Sequence, residues 1–589
     1  VVHSLFKEYH SCARSFSPLA PPSLSPLARR KRLTTPLLPL RTPLPPLLRT
    51  PLLSPPTLLV PLRKPPPTPL PLLRTLRLPL LRTLLLLLRM PPRRCNLRRT
   101  AKVQGAGGNL RALFFCQQFK RSIKFVLALP PRPRHLAGMT GLDELTQGLA
   151  SALGRIGLPA PEGLERLSGG ANMESWRCRA GVDTCVLRRA PSLEMMAGRP
   201  MDHAAEAQVV RAARAAGVMA PEVLVELEPG DGIGSGYVMR AISGSPDPNA
   251  FLAEADPAIA IRDIARELVA VHRTDCTGIP VPVMDTAAAL GELRTRFLAY
   301  GGDRPILALA LKWLEANLPP PVKPRLVHGD FRLGNLMFEH GRLTGVLDWE
   351  LAHLGDWHED LAFGCMTVWR FSRPDRPGYG LTTIAELARA YEEAGGEAFD
   401  PARFRFWTIY RTFWWALGCL QMGGFWRARH DRSVERVVVA RRTSEQELDL
   451  LLLLEDLAPA AERHRPLPPA ADPLQPGPGE PSGAEILTAI SEWLGSDIKP
   501  LVSGRGKFDL AVARNALGIV AREIEQRPVA TDAALTAEIM AGAADLGTPG
   551  LLARLRRMAL SKLTADMPKY PALAAARAKW ATETERGTA

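Results

Sequence analysis

Proline placement divides this chain before any other feature comes into play. Its 589 residues include 56 prolines, and between Pro18 and Pro92 they recur every few positions in repeats such as P-L-L-R-T-P. Each proline removes a backbone donor and breaks a helix or a central strand, so neither a core nor a spanning helix is expected there. The longest apolar run in that stretch, Leu84 to Leu88, falls far short of the ~20 residues that cross a bilayer, and no membrane segment is expected. A second proline-rich stretch, residues 458–483, reads as a semi-extended tether. What is left to fold is one block of roughly three hundred residues and one of roughly a hundred, a large two-lobed domain and a small one.

Charge follows the same division. Residues 1–138 hold twenty-five Lys and Arg against the single acid Glu8, a balance of +24, which leaves −8 for residues 139–589 of a chain whose total is +16. A mildly acidic body favours neither nucleic acid nor an anionic membrane. The basic front end is open to being a transit peptide, a phosphate-binding arm, or translated non-coding sequence. Its repeats favour the last, so residues 1–138 are expected to be disordered or not native, with the biological start at Met139. Eight cysteines show no C-x-x-C and no zinc spacing. Free thiols in a reducing cytoplasm are expected, and no structural metal.

From Leu164 the pattern alternates between strand signals and turn glycines. L-E-R-L, S-W-R-C-R and D-T-C-V-L-R-R-A read as three strands, with a turn at Ser168 to Asn172 between the first two. H-A-A-E-A-Q-V-V-R-A-A-R-A-A-G reads as a helix closed by Gly217. P-E-V-L-V-E-L and G-Y-V-M-R-A-I add two strands. Five antiparallel strands with a helix after the third make a small lobe to about residue 242; residues 243–457 are mostly helical in pattern. The fold class is α+β, two-lobed, followed by an all-α domain from 484 to 589.

Chemistry gathers at V-H-G-D-F-R-L-G-N, residues 327–335, and at L-D-W-E, residues 347–350. Between them L-M-F, E-H-G-R and L-T-G-V-L form a hairpin signature. If Phe338 pairs with Leu343, Asn335 lies opposite Val346 and Asp348 is its diagonal neighbour, ~7–8 Å away at Cα. An amide oxygen and a carboxylate then converge on one cation, while Asp330, in the loop before the hairpin, is free to reach a hydroxyl. These are the parts of a phosphoryl transfer.

In order and spacing, V-H-G-D-x-x-x-x-N, L-D-W-E and G-D-W-H-E-D-L-A resemble the aminoglycoside phosphotransferase and choline kinase families, relatives of protein kinases, over about residues 160–456. The resemblance implies a protein-kinase-like fold, ATP and Mg2+ as cofactors, Asp330 as catalytic base, Asn335 and Asp348 as metal ligands, and Asp360 as a brace for the loop. His328 is expected to brace the loop as well, and Trp349 and Glu350 to serve packing and loop geometry. On the nucleotide side Gly169 and Gly170 stand where a glycine loop would cover phosphates, although a plain hairpin turn fits equally. Arg188 takes the place of the usual strand lysine, with Glu206 on the next helix as its partner. Met239 would offer main-chain groups to adenine at the hinge, or be a core methionine.

The acceptor is less legible. Trp407, Trp414 and Trp415 would suit an aromatic cage, but at helical spacing they read as core. Nine Arg against two acids between Ala402 and Arg442 suit an anionic acceptor better than a polycationic aminoglycoside. The spelling L-R-R-A-P and L-D-W-E-L-A-H-L-G-D is nearest to the phosphotransferase part of acyl-CoA dehydrogenase ten and eleven type proteins, which implies a small-molecule hydroxyl substrate of hydroxyacyl type. The C-terminal block resembles a helical domain of unknown function found beside such kinases; docking onto the larger domain and self-association are the roles open to it. The competing function is a kinase-like scaffold without turnover, acting through that helical domain.

Overall fold

The computed structural model describes residues 140–167, 173–193, 196, 199–469 and 481–580. The segment 1–138, the Met139 start and the turn Ser168 to Asn172, with Gly169 and Gly170, lie outside the described residues.

Helix α1 (Thr140–Gly154) opens the structure. Its Leu145, Leu149, Ala152 and Leu153 recur at helical spacing and are buried, packing with Leu187 and Val238 on one face of a sheet. That sheet holds β1 (Glu162–Arg166), β2 (Glu174–Ala180), β3 (Asp183–Ala190), β4 (Val223–Glu226) and β5 (Ser235–Arg240). The strand order is β1-β2-β3-β5-β4, and every pairing is antiparallel. Helix α2 (His203–Ala215) lies in sequence between β3 and β4. Asp202 caps its start by accepting the Ala205 N–H. Its end is set by Gly217, at φ +96°, whose N–H meets the Arg214 carbonyl while Val218 N–H meets that of Ala213, a turn that favours a residue without Cβ.

The second lobe begins with α3 (Pro248–Glu254), α4 (Pro257–Arg273), α5 (Thr286–Tyr300) and α6 (Pro305–Ala316). Strands β6 (Arg325–Val327), β7 (Leu336–Glu339), β8 (Arg342–Val346) and β9 (His353–Gly355) follow, paired β7 with β8 and β6 with β9. Helices α7 (His358–Gly364), α8 (Ile384–Glu393), α9 (Pro401–Arg427), α10 (Val434–Arg441) and α11 (Thr443–Leu454) complete it. Over most of its length α9 is buried on all sides, as a helix through the middle of a lobe must be. Trp407, Trp414 and Trp415 are 0%, 3% and 8% exposed, so they are core side chains and form no open cage.

Helices α12 (Gly483–Trp493), α13 (Gly504–Gln526), α14 (Ala533–Met540), α15 (Leu551–Asp566) and α16 (Pro571–Trp580) form the C-terminal part. Leu448, Leu451 and Leu454 of α11 share one hydrophobic core with Leu555 and Leu563 of α15 and Leu573 of α16. Polar contacts cross the same boundary: Tyr570 donates to Asp449 at 2.6 Å, Trp580 Nε1 to Glu455 at 2.7 Å, and Arg441 Nε to Asp566 at 2.9 Å. These helices are therefore continuous with the large lobe instead of tethered to it. The expected tether is corrected in its first half too, since residues 460–463 are helical and Ala458 and Leu467 are buried; residues 470–480 lie outside the described residues. Cys178, Cys185, Cys276, Cys365 and Cys419 are free and buried. Among the described residues no helix is long and apolar enough to cross a membrane.

Candidate active site

Two loops of the second lobe, between β6 and β7 and between β8 and β9, face one strand of the first. The β6–β7 loop carries Asp330, and Asp360 holds it from below. That carboxylate is fully buried and accepts the His328 N–H at 2.7 Å and the Gly329 N–H at 2.8 Å, with His272 Nε2 at 3.3 Å. Burial alone would raise its pKa, but the His272 and His328 groups outweigh it and hold the carboxyl below its usual value, as expected when several donors point at one anion. Gly329 sits at φ +80°, and a Cβ there would lie 2.4 Å from the Leu351 carbonyl oxygen, so only glycine lets the two loops press together.

His328 is also fully buried. Its Nδ1 accepts the Asp330 N–H at 3.2 Å and its Nε2 lies 3.0 Å from the Leu347 carbonyl. That pattern requires a neutral ring protonated on Nε2, and burial pushes its pKa down in agreement. The histidine thus ties the two loops together.

Asp330 Oδ1 accepts from Arg332 Nε at 2.8 Å and Oδ2 from Asn335 Nδ2 at 2.7 Å. Burial raises its pKa; Arg332 opposes the rise, and Asp348 adds to it. Because the Asn335 amide gives its N–H groups to Asp330, its carbonyl oxygen is the group it can offer a cation.

The hairpin register differs from the expected one. Phe338 does face Leu343, but an extra residue in β8 puts Leu336, not Asn335, opposite Val346. Asn335 is displaced by one position, and its main-chain carbonyl accepts the Leu347 N–H at 2.8 Å, immediately before Asp348. The bulge is the reason: one unpaired residue shifts every partner beyond it. Asp348 itself lies at φ +67°, a left-handed conformation that costs a non-glycine residue of order 1–3 kcal/mol. Its carboxylate meets the first lobe: Arg188 Nη2 donates to Oδ1 at 2.7 Å.

Arg188, on β3, is the pivot between the lobes. Its Nε is 3.1 Å from Glu206 Oε1, and the Nη2 that meets Asp348 is also 2.9 Å from Glu350 Oε2. Burial alone would favour the neutral guanidine, but Asp348, Glu206 and Glu350 hold it charged. Glu206 also accepts from Tyr237 at 3.0 Å; this bond and Arg188 oppose the burial that pushes its pKa up.

Met239 lies within β5, opposite Val186 of β3 and Val223 of β4. Its main chain is therefore committed to the sheet, which corrects the expectation that it offers backbone groups to a base. It shares the strand face of Tyr237, two residues away, and the crossover between lobes begins beyond it at Ala241.

Glu350, expected to serve packing and loop geometry, binds both Arg188 and Arg199, the latter at 3.3 Å. Two contributors were not foreseen. Arg332 stacks 4.5 Å over Trp369 while holding Asp330. Arg411 of α9 pairs with buried Glu359 and donates to the Gly329 carbonyl at 3.3 Å. Arg332 lies inside the quoted motif and Glu350 at its edge; nothing local marks Arg411. Of the nine arginines counted between 402 and 442, Arg403, Arg411, Arg436, Arg441 and Arg442 are engaged by carboxylates, so the count overstates the charge available to a ligand. Beside the loop, Pro282, Met284, Leu351, Tyr410, Arg411 and Trp414 line a mostly apolar cavity of about 260 Å³.

Residues 163–407 match the model of the phosphotransferase enzyme family, and residues 500–570 match a domain of unknown function, DUF6285. Among curated proteins, acyl-CoA dehydrogenase family member 10 of Mus musculus is 28% identical over 275 residues, 42% of this chain and 25% of that protein. Acyl-CoA dehydrogenase family member 11 of Gallus gallus is 29% identical over 218 residues, 34% of this chain and 27% of that protein. The chain thus spans about a quarter of the length of these curated relatives. Among solved structures, a thermostable mutant of aminoglycoside phosphotransferase APH(4)-Ia, in a ternary complex with ADP and hygromycin B, aligns with a TM-score of 0.37 at 18% identity, covering 52% of this chain and 98% of that one.

Proposed function

Because residues 163–407 form a phosphotransferase-family domain, we propose that this protein is an ATP- and magnesium-dependent small-molecule kinase that moves the γ-phosphate to a hydroxyl. The observation that carries this reading is the pair of contacts that joins Asn335 to the Asp330 carboxylate and Asp348 to Arg188.

In the proposed reaction the acceptor hydroxyl oxygen forms a bond to the γ-phosphorus, the bond from that phosphorus to the β–γ bridging oxygen breaks, and ADP leaves. Asp330 accepts the hydroxyl proton. Its burial supports that role, since a carboxylate with a raised pKa holds the transferred proton better than an exposed one. Arg332 and Asn335 keep its two oxygens in place. Arg188, charged and fixed by Glu206, faces the phosphates and offsets their charge. The donor set of one carboxylate and one amide oxygen fits magnesium, which takes hard oxygen ligands; Asp348 and Asn335 would hold it, and it would supply positive charge that offsets the charge developing on the phosphates. Asp348 would have to exchange Arg188 for it.

For the acceptor we propose a hydroxyacyl compound. The relatives' names as acyl-CoA dehydrogenases support an acyl substrate, and the mostly apolar cavity beside the loop suits an acyl chain. A cytoplasmic location and self-association belong to the same reading. Ile486, Ile490 and Trp493 form an apolar stripe on α12, each 41–52% exposed. Two copies pairing through α12 would bury the stripe.

The test is Asp330→Asn. Magnesium-dependent ATP consumption, screened against hydroxy acids, amino alcohols and aminoglycosides, is expected to fall by ~10²–10⁴-fold while nucleotide affinity is unchanged. Turnover equal to wild type would refute the base assignment. A wild-type protein that binds nucleotide and phosphorylates none of these acceptors would favour the scaffold.

A further inference from the structure

Resting on that reading and going beyond it, we infer that Glu350 is the positioning residue that keeps Arg188 aimed at the nucleotide's phosphates once Asp348 turns to a cation. Arg188 Nη2 serves Asp348 at 2.7 Å and Glu350 at 2.9 Å together, so whichever carboxylate leaves, the other inherits the bond. The two differ in their freedom to leave. The Asp348 side chain is 32% exposed and that of Glu350 8%. Glu350 is moreover held by Arg199, whose Nη1 lies 3.3 Å from the same Oε2 atom. Asp348 is thus the exchangeable partner and Glu350 the permanent one.

The arginine explains why a second anchor is needed. A lysine ammonium at this strand position is a compact charge that one helix glutamate can satisfy. A planar guanidinium spreads its donors over several nitrogens; here Nε lies 3.1 Å from Glu206 of α2 without an aligned hydrogen bond, and Nη2 faces the other lobe. If only Glu206 held it, the Nη2 end would be free to swing. Glu350 fixes that end, and because it belongs to the β8–β9 loop it also ties that loop to β3. Glu350→Gln keeps the size of the side chain but loses the charge, so it weakens the anchor that matters only when Asp348 is elsewhere.

The experiment measures ADP affinity of the full chain by calorimetry, with Mg2+ and with EDTA. Glu350→Gln is expected to weaken ADP binding about tenfold with Mg2+, the loss of a single charge-assisted hydrogen bond, and by less than about twofold with EDTA, where Asp348 still holds Arg188. A residue that only supports the fold would weaken both alike, and an equal loss in the two conditions overturns the inference. Arg188→Lys is expected to show the same metal-selective loss, since the compact ammonium cannot span Glu206 and Glu350 together, and adding Glu350→Gln to it should cost nothing more; additive losses count against the coupling. If Glu350→Gln does not fold, Arg188→Lys decides by the same comparison. Wild-type protein that binds no ADP in either condition refutes the phosphotransferase reading itself, a result distinct from either failure above.

Discussion

Replacing Asp360 by Asn tests how the loop that carries Asp330 is held. The carboxylate accepts two backbone N–H groups at 2.7 and 2.8 Å and faces His272 Nε2 at 3.3 Å, with no exposure to solvent. An amide offers one oxygen where the carboxylate offers two, so one backbone N–H keeps an acceptor and the other confronts an NH2 group. The loss is one charge-assisted bond plus a buried donor left unpaired, together about 3 kcal/mol. At about 2 °C per kcal/mol for a large domain, the melting temperature should fall by roughly 6 °C. Turnover should fall as well, by at least about tenfold, because Asp330 is then less well aimed. The sign with pH follows from the depressed pKa of Asp360. Its contribution is fully present above the unfolded value of ~3.9 and is lost as pH falls through the lower folded value, so the gap between wild type and variant should be constant near neutrality and close in acid. Thermal denaturation followed by circular dichroism from neutral to acid pH measures it. A variant within ~1 °C of wild type and equal in turnover would mean that Arg411 and His328 hold the loop without Asp360.

Two further outcomes are expected. Burial pushes the Asp449 carboxyl up to about 7 against the opposing bond from Tyr570; since the unfolded group ionises near ~3.9, stability should decline as pH rises from about 4 to about 7. Asp449→Asn should remove that decline, so its melting temperature relative to wild type should be higher at pH ~8 than at pH ~5, and an unchanged difference would show an ordinary carboxyl. Trp493→Glu should convert a dimer to a monomer in light scattering after size-exclusion chromatography, and a monomeric wild type would refute self-association through α12.

Local pattern carried much of the small lobe. D-T-C-V-L-R-R-A alternates because one strand face meets α1 and the other meets Glu206, and the structure has it as β3 with those two faces. Gly217 was legible because a helix end of this shape needs a left-handed residue. The hairpin was legible as well, but its bulge was not: a single extra residue in L-T-G-V-L leaves the apolar pattern almost unchanged while moving Asn335 off Val346. Met239 was misjudged for a related reason, since a strand pattern says where β5 lies and not where its last paired residue falls.

What the residues dictated by themselves was chemistry at fixed spacing. Asp330, Asn335 and Asp348 are brought together by a loop and a hairpin only nineteen residues long, and so few residues leave the chain little freedom to separate them. Partners far apart in sequence were decided by the fold alone. Arg188 and Glu350 are 162 residues apart, Arg411 and Gly329 82, and Tyr570 and Asp449 121. Such contacts depend on which faces of whole elements are buried against one another, a property of the packed chain that no local pattern of residues contains.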